Sequence, residues 1–327
     1  MRFSADLTDI RFGIGPMSKN VVDACIDFAN RGRPLMLIPS RRQVEWDGGY
    51  TGWTTHDFCA YVRERTNQIL LTRDHAGPGQ GDNPKDDMQS LFVDCAHFDA
   101  IHLDPWKIAP TFEEGAAITP LMIEYCHELN PGLLYEIGTE QAICPYEANE
   151  LDAFITFLER NTSPEQFKQI RWAVIQSGTA LHGNENTGQH DPGRLADMLR
   201  VCEKWGLLAK VHNGDYLPHE QMADLLGFGV DCVNIAPEMG QIESRAYLEA
   251  VDQKTLDIFY KIVYDSGRWT KWLTPEQAAD PMVLINAAGH YVLNHPDFVT
   301  HIKNRYPIDE TIKANVIRRL EELHGLI

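Results

Sequence analysis

The chain has 327 residues, of which 43% are hydrophobic, so it can bury a large core within one α/β domain or two smaller ones. Its formal net charge of −18 argues against binding to nucleic acid or to an anionic membrane, because the phosphates of either would be repelled. No apolar stretch is long enough to cross a bilayer, and the charged N-terminus lacks an apolar signal core, which predicts a cytoplasmic protein.

Eight short apolar runs recur along the chain, and each is typical of a buried strand. They lie at 11–14, 34–38, 69–71, 100–103, 133–137, 172–175, 208–211 and 230–235. Segments with apolar residues three and four apart, typical of amphipathic helices, lie between them at 20–32, 150–161, 192–206 and 218–229. This repeated alternation predicts a parallel (β/α)8 TIM barrel, and an open doubly wound sheet with the same local pattern is the alternative.

The alternation stops near residue 241, and the remaining chain has helical periodicity at 247–267, 281–294 and 309–326. No low-complexity linker separates the two parts. We therefore expect a barrel at 1–240 and a helical extension at 241–327 that packs on it and is not an independent domain. The extension is also a candidate for the contact between subunits of a homo-oligomer.

Polar side chains follow the predicted strands, at the end of a barrel where reactive groups gather. Three of them are histidines, His75 after the third strand, His182 after the sixth and His212 after the seventh. Three histidines can hold a divalent metal and leave a position open for substrate oxygens. For any one of them, a loop or capping role is the alternative, but their shared position favours a metal site.

Four motifs resemble those of class II aldolases of the fructose- and tagatose-bisphosphate type. They are more similar still to the tagatose-bisphosphate aldolase accessory-subunit (GatZ/KbaZ-like) family. The resemblance covers about residues 10 to 240. The motifs are RQVEWDGGYTG at 42–52, DHAGP at 74–78, IHLD at 101–104 and IGTE at 137–140.

The resemblance implies a zinc-dependent barrel in which His75, His182 and His212 hold Zn²⁺ or another divalent metal. Asp74 matches the acid/base that moves a proton at the cleaved bond. Asp104 matches a carboxylate at the edge of the metal, and orienting a histidine is its alternative role.

Glu136 and Glu140 match a carboxylate pair near the metal. Glu140 is the stronger catalytic candidate, because it belongs to the shared IGTE motif. One of the two carboxylates could instead serve as a cap or ion pair in the barrel wall.

Substrate binding is expected from Gln43, in the QV…GGYTG motif, and from Asn234, which matches an asparagine that contacts the substrate in the aldolases. Asn213 and Asp215, after the seventh strand, complete the predicted substrate-binding set. Arg41 and Arg42 could contact an anionic substrate, or they could be solvated loop charges.

One departure from the aldolase pattern bears on the substrate. The phosphate-binding glycine-glycine-serine loop is replaced by His212-Asn213-Gly214-Asp215, and Pro237 stands in place of a threonine. An aspartate repels phosphate, and proline has neither a hydroxyl nor an N–H to donate. An unphosphorylated sugar, or one anchored elsewhere, is easier to accommodate.

These residues predict a metal-dependent aldolase-type enzyme of carbohydrate metabolism, a carbon–carbon lyase that acts next to a sugar carbonyl through an enediolate. A sugar epimerase that uses retro-aldol and aldol steps at the same metal is the first alternative. The second is a non-catalytic subunit that supports a tagatose-bisphosphate aldolase, with that catalytic subunit as its partner.

Overall fold

Eight parallel strands close into a barrel in this computed structural model, which confirms the predicted (β/α)8 TIM barrel over the open sheet. The structure describes residues 3–182 and 185–327, and the side chains of Pro84 and His182 lie outside the described set. Each predicted run overlaps one barrel strand, although the third strand extends to Ala76 and the sixth begins at Ile170. The strands are β1 (Phe12–Ile14), β2 (Leu35–Leu37), β3 (Ile69–Ala76), β4 (Ala100–Leu103), β5 (Leu134–Ile137), β6 (Ile170–Val174), β7 (Leu208–Val211) and β8 (Cys232–Ile235).

Helices alternate with the strands, as their periodicity predicts, and continue to the C-terminus. The four helices predicted between strands are present, with small shifts at their ends. The α-helices of the described residues are α1 (Lys19–Ala29), α2 (Thr55–Arg63), α3 (Asp87–His97), α4 (Phe112–Leu129), α5 (Ala148–Asn161), α6 (Pro164–Lys168), α7 (Pro192–Trp205), α8 (His219–Phe228), α9 (Pro237–Ala250), α10 (Gln253–Asp265), α11 (Pro275–Ala278), α12 (Pro281–Ala288), α13 (Pro296–Phe298) and α14 (Asp309–His324). Among the described residues, none of these helices has the length and apolar character needed to cross a membrane.

The core has two parts, because successive side chains of a strand point to opposite sides of the sheet. The larger cluster fills the space between strands and helices and includes Leu35, Leu71 and Ile101. A smaller cluster contains the alternate strand residues Met36 and Trp172 and fills the barrel interior.

The barrel closes where β8 returns to β1, and a glycine allows the close approach at this seam. Gly13 on β1 pairs in parallel with Asn234 on β8. A Cβ atom on Gly13 would lie 2.3 Å from Oδ1 of Asn234, so a larger residue would displace the amide. Glycine at position 13 therefore leaves space at this seam for the side chain of Asn234.

The C-terminal helices contact the barrel at several points. Helix α9 runs through residue 240, where the expected boundary falls, and α14 packs against both α1 and α9. A Cβ atom on Gly52, which has φ +82°, would lie 2.1 Å from the side chain of Asn294. The GGYTG loop is therefore fitted against the C-terminal segment, and this contact explains the need for glycine at its last position.

Candidate metal centre and pocket

An irregularity at the end of β3 brings two consecutive side chains to the barrel mouth. The pairing register between β3 and β4 shifts between Arg73 and Ala76. His75 has φ +48°, which is uncommon for a residue other than glycine and marks local strain. Such bulges re-aim side chains, and here Asp74 and His75 both reach the pocket although they are neighbours in a strand.

Arg73, the first residue of the Arg-Asp-His run, has a structural role. Its guanidinium is fully buried and lies 2.7 Å from Oδ1 of Asp94 on α3. The same group donates to the carbonyl oxygens of Pro39 and Val44, at 3.0 and 2.8 Å. Arg73 therefore ties β3 to α3 and to the loop after β2, and points away from the pocket.

Three imidazoles converge beside Asp74. They belong to His75, His102 and His212, and their ring centroids lie 4.8–5.2 Å apart. One ligand atom from each ring and one oxygen of Asp74 all lie within 4.8 Å of one another. This cluster could hold a metal ion, and it joins residues from β3, β4 and the end of β7.

Each ring has one nitrogen held by an acceptor behind it. Nδ1 of His75 lies 2.6 Å from Oδ2 of Asp104, and Nε2 of His212 lies 2.6 Å from Oε1 of Glu136. Nε2 of His102 lies 2.9 Å from the carbonyl oxygen of Gly138, so it must be the protonated nitrogen of that ring. The opposite nitrogen of each ring faces Asp74, and Nδ1 of His102 also accepts from the His75 N–H at 3.2 Å. An acceptor behind the ring is the arrangement found at metal-ligating histidines.

The carboxylate of Asp74 faces these three nitrogens. Its oxygens lie 3.8 Å from Nε2 of His75, 3.7 Å from Nδ1 of His102 and 4.0 Å from Nδ1 of His212. Within the described part of the chain, buried Oδ1 of Asp74 and Nδ1 of His212 have no hydrogen-bond partner. Buried polar atoms without partners are rare, and a cation at this point would satisfy both, so the residues fit a divalent metal.

Charges in the cluster are strongly coupled. Burial lowers the pKa of His75, but Asp74 and Asp104 outweigh it and raise that pKa to about 10. Burial raises the pKa of Asp74, but the imidazoles of His75, His102 and His212 outweigh it and hold it below its usual range. Burial lowers the pKa of His212, which Glu136 only partly opposes. Asp74 is therefore an anion and His212 a neutral ring, whereas His75 is protonated on both nitrogens near pH 7 and would release one proton on binding a metal.

A buried lysine supports the His212 side of the cluster. Nζ of Lys210 lies 2.6 Å from Oε2 of Glu136, and both side chains are fully buried. Burial raises the pKa of Glu136, but Lys210 and the nearby histidines outweigh it and lower that pKa. Glu136 thus remains ionised between the ammonium group of Lys210 and the imidazole of His212. Glu136 therefore forms an ion pair in the barrel wall, which is one of the roles expected for the carboxylate pair Glu136 and Glu140.

The predicted third ligand, His182, ends the strand Thr179–His182, but its side chain lies outside the described set. The prediction for His182 therefore stays a prediction, and the structure places His102 beside His75 and His212. Sequence reasoning did not include His102 in this cluster because it lies inside the apolar run 100–103. Its place in the IHLD motif was the available signal.

Asp104 and Glu140 occupy different places. Asp104 lies behind His75, in the position expected if its role is to orient this histidine. Glu140 lines the pocket in front of the cluster.

The pocket is a cavity of about 430 Å³ above the cluster, and all four predicted substrate-binding residues line it. Gln43 accepts at 2.8 Å from the Ser40 N–H, which fixes its amide, and Nδ2 of Asn213 donates to the Thr179 carbonyl at 3.3 Å. Oδ1 of Asp215 accepts from the N–H groups of Ala236 and Glu238, at 2.9 and 2.8 Å. Asp215 therefore caps the start of α9 as well as lining the pocket.

The two arginines before Gln43 have different roles. Arg41 is buried and is held by Glu45 and Asp87, so it braces the loop. Arg42 lines the pocket, is 46% exposed and lies 3.1 Å from Asp82. Lys107, Arg268 and Lys271 also line the pocket, so its mouth is rich in cations although the chain is acidic.

No protein-family model matches the sequence. The fold is similar to a probable tagatose 6 phosphate kinase from Sinorhizobium meliloti 1021, with a TM-score of 0.76 and 17% identity over 97% of this chain and 100% of that one. A fructuronate-tagaturonate epimerase from Cohnella laeviribosi gives 0.68 and 10% identity over 100% and 82%. Fructose-bisphosphate aldolase from Campylobacter jejuni gives 0.59 and 13% identity over 96% and 90%.

These structures share the fold with the chain, and their identities are too low to transfer an activity. They support the predicted barrel fold.

Proposed function

We propose that the chain is a metal-dependent enzyme of carbohydrate metabolism that cleaves or forms a carbon–carbon bond next to the carbonyl of a sugar or sugar derivative. The observation that carries the proposal is the convergence of three oriented imidazoles on the buried carboxylate of Asp74. Zn²⁺ or another divalent ion held there would polarise a carbonyl and stabilise the enediolate that bond cleavage leaves.

Different residues would bind the ion and orient the histidine rings. His75, His102 and His212 would hold the ion, with His182 as a further predicted ligand. Asp104, Glu136 and the Gly138 carbonyl orient the rings from behind.

Asp74 moves the proton at the reacting carbon, because its carboxylate is ionised and faces the cluster. Glu140, from the pocket wall, is a second candidate for proton transfer.

Polar side chains of the cavity wall bind the substrate. Gln43, Asn213 and Asn234 each present an amide there, and amides both donate to and accept from sugar hydroxyls. Asp215 is the weaker candidate, because its Oδ1 atom is already occupied by two backbone N–H groups.

The direct test is the metal content of the purified chain and of His75→Ala. We expect about one equivalent of zinc in the wild type and a large loss in the variant, with chelator-sensitive release of an aldehyde from a ketose. An exposed histidine, replaced in His301→Ala, serves as the control. A metal-free wild type, or full activity after chelation, would refute the proposal.

Epimerisation by retro-aldol cleavage and re-addition is the second candidate function. It is favoured by the likeness in fold to the fructuronate-tagaturonate epimerase over the whole of this chain. The two reactions differ in product, because a lyase releases a free aldehyde whereas an epimerase yields only a diastereomer. Activity that appears only on adding a second protein would instead favour the accessory-subunit alternative.

A further inference from the structure

His290 belongs to the C-terminal part of the chain, yet it lines the cavity above the cluster of Asp74 and the three histidines. It lies in the single turn Gly289–Val292 after α12 and is only 2% exposed. Neither ring nitrogen has a hydrogen-bond partner among the residues that the structure describes. Since a buried polar group without a partner is costly, a histidine in this position indicates a partner that enters the cavity.

The neighbouring residues make room for His290. A Cβ atom on Gly240 of α9 would lie 2.6 Å from Cβ of His290, so glycine is required at that contact. The ring also lies against Tyr291, with 4.1 Å between centroids. The side chain is therefore held by close packing on α9 and is not a mobile surface group.

The charge state of His290 defines what it can bind. Burial lowers its pKa to about 3, with a contribution from nearby Lys271. The ring is neutral near pH 7, so one nitrogen donates a hydrogen bond and the other accepts one.

Asn234, from β8, supplies a second unpaired group in the same cavity. It is 3% exposed, and both atoms of its amide are without partners in the described residues. An amide and a neutral imidazole can each donate a hydrogen bond and accept one. Hydroxyl groups match both, whereas carboxylates and phosphates only accept.

We propose that His290 is a substrate-binding residue that hydrogen-bonds hydroxyl groups on the carbon chain of the sugar. The segment around residue 290 thereby becomes one wall of the site. This inference rests on the proposed function only in taking a sugar as the ligand, and it does not depend on the metal.

The experiment measures binding of D-tagatose, D-fructose and D-sorbitol to the full chain by calorimetry, with and without zinc. His290→Phe keeps an aromatic ring but removes both nitrogens, and His290→Gln restores a donor and an acceptor. His127→Phe is the matched control, because His127 lies on α4, bonds Gln169 and is not among the pocket-lining residues.

We expect the dissociation constant of the tightest probe to rise at least fivefold in His290→Phe and to return to within about twofold of wild type in His290→Gln. That change corresponds to the loss of a hydrogen bond. Zinc content and thermal stability should stay unchanged in both variants, and His127→Phe should bind like the wild type.

Equal binding by His290→Phe and wild type would overturn the inference, as would loss of zinc in that variant. Failure of the wild type to bind any of the three probes, the two ketoses and the polyol, would overturn the assignment of hydroxyl groups as the partners of His290. A metal-free wild type whose sugar binding still depends on His290 would refute the proposed function alone.

Discussion

Oδ2 of Asp104 lies 2.6 Å from Nδ1 of His75, and this contact decides which nitrogen of His75 faces the other two imidazoles. Nδ1 donates to the carboxylate, so Nε2, which lies 3.8 Å from Asp74, is the nitrogen that can release its proton and bind a metal. Asp104 is also held by Nε2 of Gln80, at 3.0 Å. The carboxylate therefore fixes both the tautomer and the orientation of a candidate ligand without facing the cavity itself.

Removing this contact should weaken metal binding without abolishing it. We expect Asp104→Ala to lower zinc affinity about 10- to 100-fold, because the His75 ring loses its orienting acceptor. Competition with a fluorescent chelator measures the change. Asp82→Ala, at an exposed residue that is not among those lining the pocket, is the control and should bind zinc normally. Equal zinc affinities of Asp104→Ala and the wild type would show that Asp104 does not act through His75.

Asp74 can be tested for proton transfer separately from metal binding. We expect Asp74→Asn to retain zinc and to lower kcat at least about 100-fold, since an amide cannot take up the proton. Metal analysis and steady-state kinetics on the same sample measure both effects. If zinc is lost together with activity, Asp74 is a ligand and the proton carrier must be sought elsewhere, with Glu140 as the next candidate.

The third histidine ligand can be decided by comparing two variants. We expect His102→Ala to lose most of its zinc, because the structure places its ring 4.8–4.9 Å from those of His75 and His212. His182→Ala, measured in parallel, tests the position chosen from the sequence. Full zinc content in His102→Ala and loss in His182→Ala would restore the original set of His75, His182 and His212.

The ion pair between Lys210 and Glu136 should stabilise the fold as well as the site. We expect Lys210→Met to lower the free energy of unfolding by about 3–5 kcal/mol, because it leaves a buried carboxylate without its cation. Urea denaturation measures this loss. The double variant Lys210→Met/Glu136→Gln should recover part of it, and no recovery would mean that the lysine contributes by packing alone.

The pH dependence of stability should carry a contribution from Asp215. Burial, with a contribution from Glu238, raises its pKa to about 8 in the folded protein, above its usual 3.8. The folded state then binds the proton more tightly than the unfolded state, so this residue lowers stability progressively as pH rises from about 4 to 8.

Asp215→Asn should flatten that decline in melting temperature and still cap α9, since the amide oxygen can accept from the same two N–H groups. Thermal unfolding between pH 5 and 8.5 measures the slope. An unchanged slope would show that Asp215 titrates near its normal value.

The sequence by itself determined the barrel, because strand and helix periodicities are local patterns and eight alternations are enough to close a parallel sheet. It also placed Asp74, His75 and His212 at strand ends, where a barrel collects its reactive groups.

Only the tertiary structure decided which rings meet and which groups stand behind them. His102 reaches the cluster from inside an apolar strand, and the shift in register after Arg73 turns His75 toward it. His290 enters the same cavity from a segment whose own pattern is merely helical. These relationships depend on pairing register and on packing between residues far apart in the chain, and no local periodicity encodes them.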